Sequence, residues 1–134
     1  MRPPGWQRML SEYVIAAQER YKREGFAWGK FDCCTFVGGW VHLMTGVDHM
    51  SQFAGRYSTR EEAMAIIAGD LKGKVAELLG PAVPVAHAGR GDIAIDNDAL
   101  GLMFTSGRLY ALFLGDGGFV LQRAEDCECA FRVG

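Results

Sequence analysis

The chain has 134 residues, the length of one ordinary domain, and 49% of them are hydrophobic, which excludes wholesale disorder. The formal net charge of -2 and the scattered charges give no basic patch for nucleic acid and no acidic tail for a charge-driven partner. No apolar run reaches the roughly 20 residues that span a bilayer, and the N-terminus lacks the apolar stretch of a signal peptide, so we expect synthesis in a reducing cytosol.

Two helices are predicted in the first third of the chain. Apolar residues at i, i+3, i+4 and i+7 predict an amphipathic helix over about 6–24, which Gly25 ends. A second helix is expected over about 33–45, with Asp32 as its N-cap and Gly46 as its stop. Each helix therefore has a buried stripe and defined ends.

Two shorter helices follow. Ser58-Thr59-Arg60-Glu61 is a capping-box pattern that opens a helix running through about Ala68. Residues 71–79 predict another short helix, which Gly80-Pro81 ends. The first two thirds of the chain are thus expected to be helical, apart from connecting loops.

After Pro84 the periodicity changes to short runs rich in apolar and branched residues, typical of strands. The glycine-rich segment 115–118 predicts a hairpin turn between the third and fourth of them. Helices first and strands second predict an α+β fold in a single domain over 1–134, with N-terminal helices packed on a small antiparallel sheet. The predicted strands cover residues 92–95, 100–104, 108–114, 119–122 and 130–133.

Asp32-Cys33-Cys34 places two thiols at the start of the second predicted helix. The partial positive charge of a helix N-terminus favours a thiolate over a thiol, so either cysteine is a candidate nucleophile. Successive helical residues are rotated by about 100°, so we expect one thiol to face solvent and the other the core. The alternative is that both are small buried hydrophobic residues. A disulfide between adjacent cysteines is strained and is not expected.

Three short motifs surround these cysteines or follow them: Trp28-Gly29-x-x-Asp32-Cys33, a helix carrying Phe36, and a distant Gly91-Asp92-Ile93 that opens a strand. Together they resemble the NlpC-type cell-wall peptidases, which are papain-like cysteine peptidases. More narrowly, the chain is similar to an uncharacterised family encoded in tailed-phage and prophage tail gene clusters. The segments shared with that family are Gly55-Arg56-Tyr57-Ser58-Thr59, Arg90-Gly91-Asp92-Ile93 and Ala130-Phe131-Arg132-Val133.

The resemblance implies a papain-like, NlpC-like fold and a place in the virion, at the tail tip or baseplate, for a protein made in the host cytoplasm. It implies other tail proteins as partners, such as the hub and the distal tail protein. We expect no cofactor. The resemblance also puts Cys33 in the nucleophile position, with Asp32, Trp28 and Cys34 in supporting positions.

A nucleophilic cysteine needs a base within hydrogen-bond reach. The resemblance implies a histidine at the start of the strand after the Gly-Asp strand, and the matching position here is Ala99, which accepts no proton. His42 lies nine residues beyond Cys33, about 13 Å along the same helix, which is too far for a direct hydrogen bond. His49 is expected in a solvent-exposed loop. His87 is a substitute base only if its loop folds back.

Two functions follow from these residues. The first is a structural tail component with a peptidase-like fold and a degenerate catalytic site, that is, a pseudoenzyme. The alternative is an active cysteine endopeptidase that acts on peptidoglycan or on a tail protein during entry or assembly. The presence of a base near Cys33 decides between them.

Two further residue pairs suggest chemistry. Cys127 and Cys129 would face one side of a strand and could ligate an iron–sulfur cluster, which Cys33 and Cys34 or a partner chain would have to complete. The alternative is that both pack at the sheet edge. Asp92 and Asp96 would also face one side, as a carboxylate pair for acid–base work or, alternatively, as residues that close turns.

Overall fold

The computed structural model describes residues 1–105 and 108–134. Helices α1 and α2 begin and end where the sequence predicts, and α3 is shorter than predicted, because Ala68 and Gly69 adopt positive φ angles of 53° and 72°. The N-cap of α3 is Thr59, whose hydroxyl accepts from the Glu62 amide, so the helix begins one residue later than expected. The four helices are α1 (Trp6–Glu24), α2 (Cys33–Thr45), α3 (Arg60–Ile66) and α4 (Leu71–Leu79).

The strands form one five-stranded sheet with the order β4-β3-β2-β1-β5, and every neighbouring pair is antiparallel. Strands β3 and β4 form the predicted hairpin, in which Gly115 pairs with Gly118. The α+β class and the antiparallel sheet are therefore confirmed. The strands are β1 (Ile93–Asp96), β2 (Ala99–Met103), β3 (Tyr110–Gly115), β4 (Gly118–Arg123) and β5 (Cys129–Phe131).

The two faces of the sheet bury different side chains, because successive residues of a strand point to opposite sides. The face that packs against the helices, which we call the helical face, carries large residues such as Ile93, Leu102 and Phe131 in one cluster with residues of α1 and α2. The opposite face carries small residues such as Ala94 and Ala130 in a second cluster. The main core therefore lies between α1, α2 and the sheet.

Helix α2 is fixed against the sheet by Trp40. Its side chain is fully buried, and its indole Nε1 donates a hydrogen bond of 2.9 Å to the carbonyl oxygen of Gly91. Tyr13 of α1 packs against Phe36 and Trp40, and its hydroxyl donates to the Phe36 carbonyl. These contacts hold the N-terminus of α2 beside β2, where the two cysteines lie.

Arg2 joins both ends of the chain to the start of β1. Its guanidinium donates 2.7 Å hydrogen bonds to the buried Asp92 carboxylate and to the Val133 carbonyl. Asp92 also accepts from the amide of Gly89, which closes the turn before β1. Asp96 accepts instead from Gln122, so the two carboxylates have separate partners and form no acid–base pair. None of the helices in residues 1–105 and 108–134 is long and apolar enough to cross a membrane.

Candidate functional site

Asp32 organises the backbone that leads into α2. It is 1% exposed, and one carboxylate oxygen accepts a 2.8 Å hydrogen bond from the amide of Thr35, whose hydroxyl accepts in return from the Asp32 amide. The other oxygen accepts from the Gly29 amide at 2.9 Å and from the Tyr57 hydroxyl at 2.6 Å. The carboxylate therefore caps the helix and holds two distant segments together.

Tyr57 and Gly29 complete this arrangement. The pKa of Tyr57 is raised, first by burial and then by its hydrogen bond to Asp32, so the hydroxyl stays protonated and donates. Gly29 has a φ of +80°, and a Cβ there would lie 2.2 Å from the Tyr57 carbonyl oxygen. In the sequence, Tyr57 is noticed only as part of the segment Gly55-Arg56-Tyr57-Ser58-Thr59. A buried aspartate cap, which needs further donors, was the signal that could have suggested its role.

Both cysteines line one cavity, so the expectation that one faces solvent and the other the core is wrong. Their sulfurs lie 3.9 Å apart, and both side chains are half-buried. A hydrogen bond from Cys34 lowers the pKa of Cys33, and the backbone amide of Leu100 adds to that effect. The pKa of Cys34 is raised by the same bond and by burial. The pair therefore ionises at Cys33, while Cys34 keeps its proton.

The cavity has a volume of about 370 Å³. Its apolar walls come mainly from α2, α3 and α4, and its lining also includes the exposed charged residues Arg60, Asp98 and Asp116. Trp28 also lines it and packs edge-to-face on Phe26 at 5.0 Å. The site is thus a mainly apolar groove that contains two thiols.

The segment expected to supply the base lies at this site. Ala99 and Leu100 of β2 line the same cavity as Cys33, so the position matched to a catalytic histidine contributes only a methyl group there. In the neighbourhood of Cys33, β2 therefore contributes a backbone donor and no side-chain proton acceptor.

The three histidines, all within the described residues, lie in different places. His42 is exposed on α2. His87 is exposed and lines a second cavity with Arg2, and that cavity shares no lining residue with the one at Cys33. His49 was expected in solvent, but it is half-buried in the short 3-10 turn His49–Gln52 and lines the Cys33 cavity.

Cys127 and Cys129 do not face the same side. Cys129 begins β5 and packs on the helical face, whereas Cys127 precedes the strand and packs on the opposite face. Burial raises the pKa of Cys127 to about 11, and its sulfur donates to the Arg123 carbonyl. Over residues 1–105 and 108–134, no group of three or more His, Cys, Asp or Glu is placed to hold a metal ion. The prediction that Cys127 and Cys129 face one side of a strand, where both could ligate a cluster, is therefore wrong.

Comparison with known proteins gives one assignment. Searches of curated proteins and of solved structures returned no match. One family model covers residues 1–133 of this chain, which is nearly its whole length. The chain therefore belongs to the family described as Domain of unknown function (DUF6950).

Proposed function

We propose that the chain is a structural component of a bacteriophage or prophage tail tip, built on a papain-like, NlpC-like domain whose catalytic site is degenerate. The observation that carries this proposal is the methyl group of Ala99 in the cavity of Cys33, where an active peptidase of this type has its base. The order of the sequence motifs and the packing of α2 on an antiparallel sheet agree with such a domain.

Peptide hydrolysis needs more than a thiolate. The leaving amine must receive a proton as the carbon–nitrogen bond breaks, and a histidine beside the nucleophile normally supplies it. Removing one member of such a unit typically costs three or more orders of magnitude in rate. Cys33 keeps donors that stabilise its thiolate but faces no proton donor from β2.

The hydrogen bonds that hold the residues around the site in place are all formed, although Ala99, at the position of the base, has no side chain that can transfer a proton. Asp32 has three hydrogen-bond donors, and no buried side-chain nitrogen or oxygen among the described residues lacks a partner. A framework of this kind suits a domain retained for its shape and its surfaces. In this proposal the domain docks on other tail proteins, such as the hub or the distal tail protein.

Tail particles from the strain that encodes the chain provide the test. Wild-type chain and a Cys33→Ala variant are expected to sediment with intact tails in equal amount, and tail yield is expected to be the same with either. A chain that remains monomeric and never sediments with tails would overturn the structural assignment.

A second function is favoured by the position of His49. His49 lines the same cavity as Cys33, so a peptidase with an unusual base is the alternative. In that case Cys33 attacks the peptide carbonyl, His49 protonates the leaving amine, and the amides of Cys33 and Cys34 stabilise the oxyanion.

Purified peptidoglycan distinguishes the two functions. Chromatography of soluble peptides should show none released by the wild-type chain or by its Cys33→Ala and His49→Gln variants if the site is degenerate. Release by the wild type that is lost in both variants would establish the cysteine peptidase instead. The same assay with purified tail proteins tests the second class of substrate.

A further inference from the structure

The cavity at Cys33 has the size and lining of a site for a small apolar group. Its volume of about 370 Å³ lies within the roughly 300–1,000 Å³ of typical small-ligand sites. The charged residues Arg60, Asp98 and Asp116 also line the cavity and are exposed to solvent. The inner walls are aliphatic or thioether side chains, including Val37, Val41, Met64, Ile67, Val75 and Leu78.

The thiol in this cavity suits one kind of reaction better than others. The sulfurs of Cys33 and Cys34 lie 3.9 Å apart, within hydrogen-bond distance for two thiols. Attack on an amide needs an acid for the leaving amine, which Ala99 does not provide, so amide cleavage would depend on His49 of the same cavity. Attack on a thioester expels a thiolate, which leaves without being protonated, so this transfer needs a nucleophilic thiolate but no acid beside it.

We propose that Cys33 accepts the acyl group of a fatty acyl thioester, and that the acyl chain occupies the cavity between α2, α3 and α4. The carbonyl carbon forms a bond to the Cys33 sulfur, and its bond to the sulfur of the donor thioester breaks. The departing thiolate takes up a proton from water, which balances the proton that Cys33 loses on ionisation. No oxidant or reductant takes part, and a placement in a phage tail is not required.

The test is mass spectrometry of the intact full-length chain after incubation with acetyl-, butyryl- or octanoyl-coenzyme A. A single adduct at Cys33, released by hydroxylamine, is expected. Octanoyl transfer should be at least about a hundredfold faster than acetyl transfer, because each buried methylene contributes up to about fourfold. Equal rates with all three donors, an adduct mainly at Cys34 or Cys127, or no adduct would overturn the proposal.

Two variants of α3 test the place of the acyl chain. Ala63 lines the cavity and Ala65 is exposed on the same short helix. Ala63→Phe should slow octanoyl transfer by about tenfold, the equivalent of fewer than two buried methylenes, while Ala65→Phe should leave it unchanged. Equal rates in the two variants would place the chain elsewhere. If Ala63→Phe does not fold, the chain-length series on the wild type decides alone.

Failure of this proposal is distinguishable from failure of the tail assignment. Acylation is measured on the isolated chain, whereas the tail role is measured by sedimentation with particles. A chain that sediments with tails but forms no adduct overturns only the acylation. A chain that forms the chain-length-dependent adduct but never joins tails overturns only the tail assignment.

Discussion

The two pairs of cysteines in this chain lie in different surroundings. Cys33 and Cys34 begin a helix, lie 3.9 Å apart at their sulfurs, and line one cavity. Cys127 and Cys129 lie at the start of β5, and their side chains are buried on opposite faces of the sheet. The adjacent thiols of Cys33 and Cys34 thus lie together, whereas the thiols of Cys127 and Cys129, two residues apart in sequence, are separated.

The difference shows that the sequence spacing of two residues predicts whether their side chains share a face only when the backbone conformation between them is known. Positions i and i+2 share a face only inside a regular strand, and β5 does not start until Cys129, after a 3-10 turn at Ala124–Asp126. At the other pair, the capped start of α2 presents both thiols to a cavity that α3 and α4 close from the far side. The first pair therefore lines a cavity, and the second is part of the core.

The largest expected effect comes from removing the cap that presents the first pair. Asp32→Ala loses an N-cap and leaves the Tyr57 hydroxyl and the Gly29 amide without their acceptor. A cap contributes about 1 kcal/mol and each unpaired buried donor costs about 1–3 kcal/mol, so we expect about 3 kcal/mol or more of lost unfolding free energy in urea.

Asp70→Ala is the matched control, because Asp70 caps α4 at an exposed site with a single hydrogen bond to the Gly73 amide. It should cost only about 1 kcal/mol. Equal losses in the two variants would mean that Asp32 is an ordinary helix cap and does not hold the site together.

The next effect is the selectivity of alkylation between the two pairs. The pKa of Cys127 is raised to about 11 by burial, whereas that of Cys33 is lowered by the Cys34 hydrogen bond. At pH 7 iodoacetamide should label Cys33 at least about a hundredfold faster than Cys127, as measured by peptide mass spectrometry. Comparable rates at the two sites would remove the chemical distinction between the pairs.

A smaller effect is expected from Cys34→Ala, which removes the donor to Cys33. Because that donor stabilises the thiolate, its loss raises the pKa of Cys33. Labelling of Cys33 should fall severalfold near pH 7 and stay the same well above the new pKa. Cys34→Ser keeps a hydrogen-bond donor and is expected to behave like the wild type; a loss as large as that of Cys34→Ala would indicate a packing effect instead.

The smallest effect should come from metal removal. Since the thiols of Cys127 and Cys129 lie on opposite faces of the sheet, they cannot approach one ion together. A chelator should leave the thermal unfolding midpoint unchanged, and anaerobically prepared tails should contain no iron or sulfide in proportion to this chain. Stoichiometric iron and sulfide would revive a cluster shared with a partner chain.

Much of the fold was predictable because local signals and tertiary packing agree. The predicted α1 and α2 have the observed ends, since Gly25, Asp32 and Gly46 are strong boundary residues. The β3–β4 hairpin follows from its glycine-rich turn. The predicted end of α3 was wrong because Ala68 adopts a left-handed conformation, which is rare for alanine and so could not be predicted from the sequence.

The site was less predictable because it depends on contacts distant in sequence. Cys33 and Asp32 were found from the start of α2, and Ala99 from the resemblance, and the structure brings Ala99 into the cavity with Cys33. The role of Tyr57 and the position of His49 depend on how the loop after α2 folds back. That arrangement has no local sequence signal.

We infer that the Cys33 thiolate is stabilised by a neighbouring thiol and backbone amides, without a histidine base. The most direct measurement is the pH dependence of Cys33 alkylation in the wild-type chain and in His49→Gln. We predict the same profile for both, with one ionisation below the ordinary thiol pKa of about 8.5. A His49→Gln profile displaced to higher pH, with reactivity at pH 7 reduced by an order of magnitude or more, would contradict the account and identify a working cysteine–histidine pair.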